Sequence, residues 1–488
     1  MKRCGILLPI FSLPSEHGIG TFGKSAYDFV DFLNNCGQSI WQILPLSPTA
    51  YGDSPYQSPS AFAGNPYFID PRILLEKGYV CEEDLAELSS TGDRIDYGAL
   101  YHERYPFLRK AYRGFLNNIP ADYDSFVAKH ERWLKPYALF MAIKDEMGGC
   151  DFHAWPYELL HGGKNPELYD RYRESMGFYL FLQYEFFAEW NALKAYANSK
   201  GIDIMGDIPI YVAPDSADVW SEPDEFVLDA ELNPRRVAGV PPDAFSADGQ
   251  LWGNPLYDWD KMKEGGYDWW VRRIAHASEM YDKVRIDHFL GFSNFFSIPA
   301  DARTPAEGTV IIGPRMDLFS VVKEKCRGVD IVAEDLGMLR DGVEELLSET
   351  GFPGMKVIQF SFGGEDNPHD PKNHTKNSVV YTGTHDNSTT LGFWSSLDRS
   401  SRLRYSRKLP HCRTEIVDRL IAYAMQSVAE IVIIPMQDYL HLGDEARINA
   451  PSTKSGNWGW IMPSNYRRAP IAKRIKNMAA DFDRVAFA

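Results

Sequence analysis

Val284-Arg-Ile-Asp287-His288 is a short stretch of β-branched residues, too brief for a helix, that ends abruptly in charge. Runs of this kind, continuous instead of alternating, suit strands buried on both faces of a parallel sheet. Working outward, comparable runs recur at 4–9, 40–44, 204–210, 331–334, 355–360, 379–382 and 431–434, which with 284–287 makes eight. Helical patterns lie between several of them, such as 24–35 after the first and 401–426 before the last. Eight βα units predict an α/β fold of the TIM (β/α)8 barrel type.

Two intervals are too long for one crossover helix. About 160 residues separate the second run from the third, and helix formers and aromatics dominate their later part. We read residues 50–200 as an inserted, largely helical subdomain after strand 2. Residues 211–280 contain the Pro-, Gly- and Trp-rich segment 239–259 and read as a second, loop-rich insertion after strand 3, covering the active-site face. Loops at the C-terminal face of a barrel carry its function, so both insertions are expected walls of a cleft. On this reading residues 1–488 form a single catalytic barrel domain.

Composition limits the possible partners. The 488 residues carry 51 basic and 67 acidic side chains, a net charge of −16, which argues against a phosphate-binding surface and hence against nucleic acid. No run reaches the ~18 apolar residues of a membrane span. Aromatics at 14% suit a surface that meets sugars, and equally a large core. Six cysteines at 4, 36, 81, 150, 326 and 412, without a CxxC pair, read as free thiols in a reducing cytosol, not as a disulfide or zinc framework. Lys2 and Arg3 ahead of an apolar run imitate a signal peptide. Pro9 and the lack of a small-residue cleavage site favour a first strand. A soluble, cytoplasmic protein is expected.

Gly18-Ile-Gly20-Thr-Phe-Gly23 matches a dinucleotide fingerprint only formally. It lies too far beyond its strand, and the second run ends in Leu44-Pro45-Leu46 where an acidic residue is needed. The informative carboxylates stand where strands end: Asp207 on the third, Asp287 on the fourth, Glu334 on the fifth and Asp386 after the seventh. Taken singly, each of them reads first as a helix cap or turn residue. Parallel strands bring all four ends to one face, and together they point to a site. Several carboxylates in one pocket suit glycoside chemistry, whose oxocarbenium-like transition state needs a carboxylate nucleophile and a protonated carboxyl. Arg285, two residues before Asp287, is placed to keep it ionised, whereas Glu334 has no basic residue within three positions. Asp386 with His385 can bind sugar hydroxyls.

Gly206-Asp-Ile-Pro-Ile-Tyr211, Val284-Arg-Ile-Asp-His-Phe289, Ala333-Glu-Asp-Leu-Gly337 and Thr382-Gly-Thr-His-Asp-Asn387 resemble the four signature regions of the α-amylase clan. In this form they are similar to the 4-α-glucanotransferases (amylomaltases, disproportionating enzymes) of glycoside hydrolase family 77. Tyr51-Gly-Asp-Ser-Pro-Tyr-Gln57, Ala63-Gly-Asn-Pro66, Gly239-Val-Pro-Pro-Asp243 and Leu251-Trp-Gly-Asn-Pro255 extend the likeness along the chain. The resemblance implies Asp287 as nucleophile, Glu334 as general acid/base and Asp386 as transition-state stabiliser. It further implies sugar-binding roles for Tyr51, Tyr56, Asp207, Trp252, Arg285 and His385. Its substrates would be maltooligosaccharides and starch- or glycogen-type α-1,4-glucans, with no metal and no organic cofactor. Two departures stand near the C-terminus: Ser452 replaces a usual glycine, and Ile461 a usual arginine. The rival readings are a hydrolase of the same clan and a non-catalytic glucan-binding protein. The second of these would be expected to have lost one of the three catalytic carboxylates, and none is lost.

Overall fold

The computed structural model describes residues 2–50, 52–88, 92–241, 249–337, 342–410, 414–453 and 455–485. Its centre is a closed parallel barrel of β1 (Arg3–Leu7), β2 (Ile40–Gln42), β3 (Asp203–Ile208), β6 (Lys283–Ile286), β9 (Ile331–Ala333), β10 (Gly354–Val357), β11 (Ser378–Tyr381) and β12 (Ile431–Pro435). Neighbours around the ring follow chain order, and β12 pairs with β1 to close it. These eight strands are the eight runs expected from sequence. Their interior is filled by Leu7, Ile40, Met205, Val332, Met355 and Ile433, so the barrel is a packed core and not a pore. Gly5 sits opposite Ile40, and a Cβ at Gly5 would come 2.4 Å from the Ile40 carbonyl oxygen, so glycine there permits the close approach of β1 and β2.

The interval between β2 and β3 holds the long helices Tyr97–Phe115, Tyr123–Glu146 and Arg173–Ser199, with shorter ones between. Arg173–Ser199 buries Phe178, Phe181, Leu182, Phe186 and Trp190, which recur at helical spacing. Its far end belongs to the barrel. Tyr196 Oη donates to Asp31 on the helix Lys24–Asn35 (2.7 Å), and Trp190 Nε1 to the Met280 carbonyl (3.1 Å). The stretch up to 200 therefore includes the barrel's own second helix.

After β3 the chain builds β4 (Arg236–Val240) and β5 (Gln250–Pro255). A further excursion after β6 adds β7 (Asn294–Pro299) and β8 (Thr309–Ile312), giving an antiparallel sheet ordered β5-β4-β7-β8. The loop-rich reading of 211–280 thus has to be corrected in part: a sheet stands there, and half of it comes from residues beyond 280. Tyr257 Oη donates to the Ile210 carbonyl and Asn254 Nδ2 to the Val212 carbonyl, both at 2.8 Å, tying this sheet to the end of β3.

Arg484 locks the opposite end of the barrel. Fully buried, it donates to the carbonyls of Met425 (2.9 Å), Ser427 (2.6 Å) and Ala429 (3.0 Å), where the helix Ile416–Met425 turns into β12. Arg484→Ala strands these carbonyls without donors and is expected to destabilise the fold by about 3 kcal/mol, read as a lower urea midpoint.

Candidate active site

Strand register creates the site. Arg285 on β6 lies between Asp207 on β3 and Val332 on β9. Its Nη1 donates to Asp207 Oδ2 at 2.5 Å, its Nη2 to Asp287 Oδ1 at 2.9 Å, and its Nε lies 3.4 Å from Met355 Sδ in the barrel interior. Arg285 is 3% exposed and Asp207 1%, so this bridge is held out of water. Asp207 is the floor: burial raises its pKa while Arg285 opposes the rise, and its Oδ2 also accepts from Tyr56 Oη (2.8 Å). Because the single Tyr56 proton goes to Asp207, the Tyr56 oxygen receives Nε2–H of His385, 3.0 Å away. The Tyr56 and His385 rings stack, with centroids 5.3 Å apart.

Glu334 has a different setting, just past the end of β9. Its Oε2 accepts from the His288 backbone N (2.7 Å) and its Oε1 from the Leu336 backbone N (2.9 Å). His288 turns its N–H inward by adopting φ 48°, a left-handed conformation uncommon outside glycine. Burial, and then the charge of Asp287, push the Glu334 pKa up to about 8. Arg285 is therefore bonded to one carboxylate, Asp287, while burial keeps the other, Glu334, protonated.

Asp386 stands in the loop after β11, with 41% of its side chain exposed. His385 Nε2 lies 3.4 Å from its Oδ2, and Asn449 Nδ2 donates to its Oδ1 at 2.6 Å. Trp252 was expected in a loop; it lies in β5, half-buried, its ring edge-on to His288 with centroids 4.8 Å apart. Beside it opens a cavity of about 170 Å³ lined by Trp252, His288, Leu290, Leu336, Phe296 and Val310 among others. The structure thus brings Tyr56, Asp207, Arg285, Asp287, His385 and Asp386 into one linked group. Glu334 joins it through the charge of Asp287, and Trp252 through His288. Tyr51 lies outside the described residues.

Sequence reasoning gave no role to His288, Arg447, Asn449 or Trp458. The Trp458 ring lies 5.7 Å from Tyr56 and 6.0 Å from His385. The Arg447-Ile-Asn449 motif was visible, but nothing in the sequence links it to Asp386, more than sixty residues earlier. Among the described residues no group of His, Cys, Asp and Glu is arranged to hold a metal ion.

The family model described as 4-alpha-glucanotransferase matches residues 8–465. A 4-alpha-glucanotransferase from Clostridium butyricum is 46% identical over 97% of this chain and 99% of its own length. One from Thermus thermophilus is 44% identical over 99% of each. An amylomaltase from Streptococcus agalactiae, solved in complex with acarbose, superposes with a TM-score of 0.95 at 38% identity, covering 99% of this chain and 100% of that one. With a barrel, a site and a full-length likeness that agree, the chain belongs to the 4-alpha-glucanotransferase family, glycoside hydrolase family 77.

Proposed function

We propose that this enzyme cleaves an α-1,4 bond in a maltooligosaccharide or a starch- or glycogen-type chain and passes the glycosyl segment to the 4-hydroxyl of glucose or another glucan. Configuration is retained through two displacements. The observation that carries this reading is the contrast between Asp287, bound to Arg285, and Glu334, whose carboxyl is raised to about 8. In the first step Asp287 attacks the anomeric carbon while Glu334 gives its proton to the departing glycosidic oxygen. The resulting ester removes the charge on Asp287 that helped to raise the Glu334 pKa. Glu334 then holds its proton less tightly and serves as the base that takes a proton from the incoming 4-hydroxyl. Asp386 and His385 accept from and donate to hydroxyls of the sugar bearing the developing charge. The cytoplasm is the proposed compartment, since the free thiols Cys4, Cys36, Cys81, Cys150 and Cys326 suit a reducing medium.

A hydrolase would use the same three carboxylates with water as acceptor. Likeness over the whole chain to transferases disfavours that alternative. Transfer requires that the ester survive water at ~55 M until a sugar arrives, which calls for a closed site and a held acceptor. The cavity beside Trp252 and Leu336 is the proposed acceptor seat, and Trp252 its cover.

Incubation with maltotriose should yield glucose plus longer maltooligosaccharides, with reducing ends nearly constant. Reducing ends that rise in step with bond cleavage would overturn the transferase reading in favour of the hydrolase. A pH profile tests Glu334. Its acid form prevails below about pH 8, so kcat/KM on glucan should fall as pH rises through that value. Glu334→Gln should abolish this limb and spare α-glucosyl fluoride, whose leaving group needs no proton; equal losses on glucan and fluoride would refute the acid role. For the cover, Trp252→Ala should lower transfer more than donor cleavage, seen as a higher ratio of hydrolysis to disproportionation.

A further inference from the structure

Asp386 is held unlike the other two carboxylates assigned to catalysis. Arg285 fixes Asp287, and two backbone N–H groups fix Glu334. Among the described residues, the one ion-pair contact of Asp386 is His385 Nε2, at 3.4 Å. Its carboxylate also accepts a 2.6 Å hydrogen bond from Asn449 Nδ2. Asn449 is itself held to the same loop from two sides. Its backbone N donates to the His385 carbonyl (3.1 Å), and its carbonyl accepts from Arg447 Nε (2.7 Å). Arg447 Nη2 then donates to the Asp386 carbonyl at 2.6 Å, and Nη1 to Ser388 Oγ at 3.3 Å. The guanidinium thus grips the backbone of both segments, while the Asn449 amide crosses to the carboxylate. Behind it, Trp458 N donates to the Ile448 carbonyl (2.8 Å) and Ala450 N to Asn457 Oδ1 (3.0 Å), folding the chain back on itself.

We infer that Asn449, braced by Arg447, is a positioning residue that sets the orientation of the Asp386 carboxylate. The inference rests on the reading of Asp386 as transition-state stabiliser. A half-exposed carboxylate on a loop is free to rotate, and a displacement of about 1 Å at a reacting centre can lower rate about 10²-fold. Asn449 occupies Oδ1 and leaves Oδ2, on the His385 side, to accept from sugar hydroxyls. A neutral amide suits this task better than a cation. It fixes geometry without pairing off the negative charge that faces the positive ring of the transition state.

The test is a double-mutant cycle on full-length enzyme. Asn449→Ala should lower kcat about 10²-fold with KM little changed. The loss should be equal on glucan and on α-glucosyl fluoride, because stabilising ring charge does not depend on the leaving group. In an Asp386→Asn background the same change should cost less than about 3-fold, since the group it positions is gone. Asn449→Asp is nearly isosteric and keeps the proposal testable if the alanine variant fails to fold. It should be impaired at neutral pH, where two carboxylates meet, and recover as pH falls and the new acid donates to Asp386 as the amide did. More than half of kcat retained by Asn449→Ala, its full loss carried over into Asp386→Asn, or no acid recovery of Asn449→Asp would overturn the proposal. Wild-type-like turnover of Asp386→Asn alone would instead remove the stabiliser reading on which it rests.

Discussion

A buried arginine between two aspartates is the constraint on which the site depends. Removing one partner of such a bridge leaves an uncompensated charge in low dielectric, a penalty of about 3–5 kcal/mol. Arg285 is therefore committed to Asp207 and Asp287 together. The consequences spread in both directions. Toward the solvent, Arg285 Nη2 holds Asp287, the proposed nucleophile, at 2.9 Å. Toward the interior, Asp207 has Oδ2 turned to Arg285 and Tyr56, and Tyr56 in turn receives His385. One guanidinium so reaches, through three side chains, the loop that carries Asp386.

Glu334 needs the opposite treatment, and the fold supplies it at the end of the neighbouring strand, β9. Among the described residues no cation is bonded to its carboxyl; instead it accepts two backbone N–H groups, one of them from a histidine in left-handed conformation. Two accepted hydrogen bonds favour the anion, yet desolvation and the charge of Asp287 outweigh them. That balance makes the proton dependent on the state of Asp287. In the proposed mechanism, bonding Asp287 to sugar removes one of the raising influences, so a single carboxyl can act as acid and then as base.

The eight barrel strands were legible because strands buried on both faces leave continuous β-branched runs in the sequence. Strands β4, β5, β7 and β8 were not. Their sheet carries Gly239, Gly253 and Pro255, and β8 exposes Val310, Ile311 and Ile312, so neither alternation nor full burial marks it. The carboxylates were legible for a topological reason: parallel strands send all their C-terminal ends to one face, so position along the chain becomes position in the pocket. What fastens Asp386 was not. Arg447 and Asn449 act from a loop beyond the last strand, and no periodicity relates that loop to the seventh strand. The role expected of Tyr51 falls on a residue outside those described.

The sheet missed in the sequence also bears on why a barrel of this kind would transfer and not hydrolyse. It draws β4 and β5 from after β3, and β7 and β8 from after β6. Strand β6 brings in Arg285, while the turn just after it carries Asp287 and His288. The sheet is therefore anchored on both flanks of Asp287. Trp252, on β5, rests against the ring of His288, and the backbone N–H of that same histidine holds the Glu334 carboxyl. Trp252, the proposed cover, and Glu334, the proposed acid/base, therefore share one neighbour. On the proposed roles, water exclusion and proton transfer are not separate devices, because the histidine whose ring backs Trp252 also holds the Glu334 carboxyl through its backbone N–H.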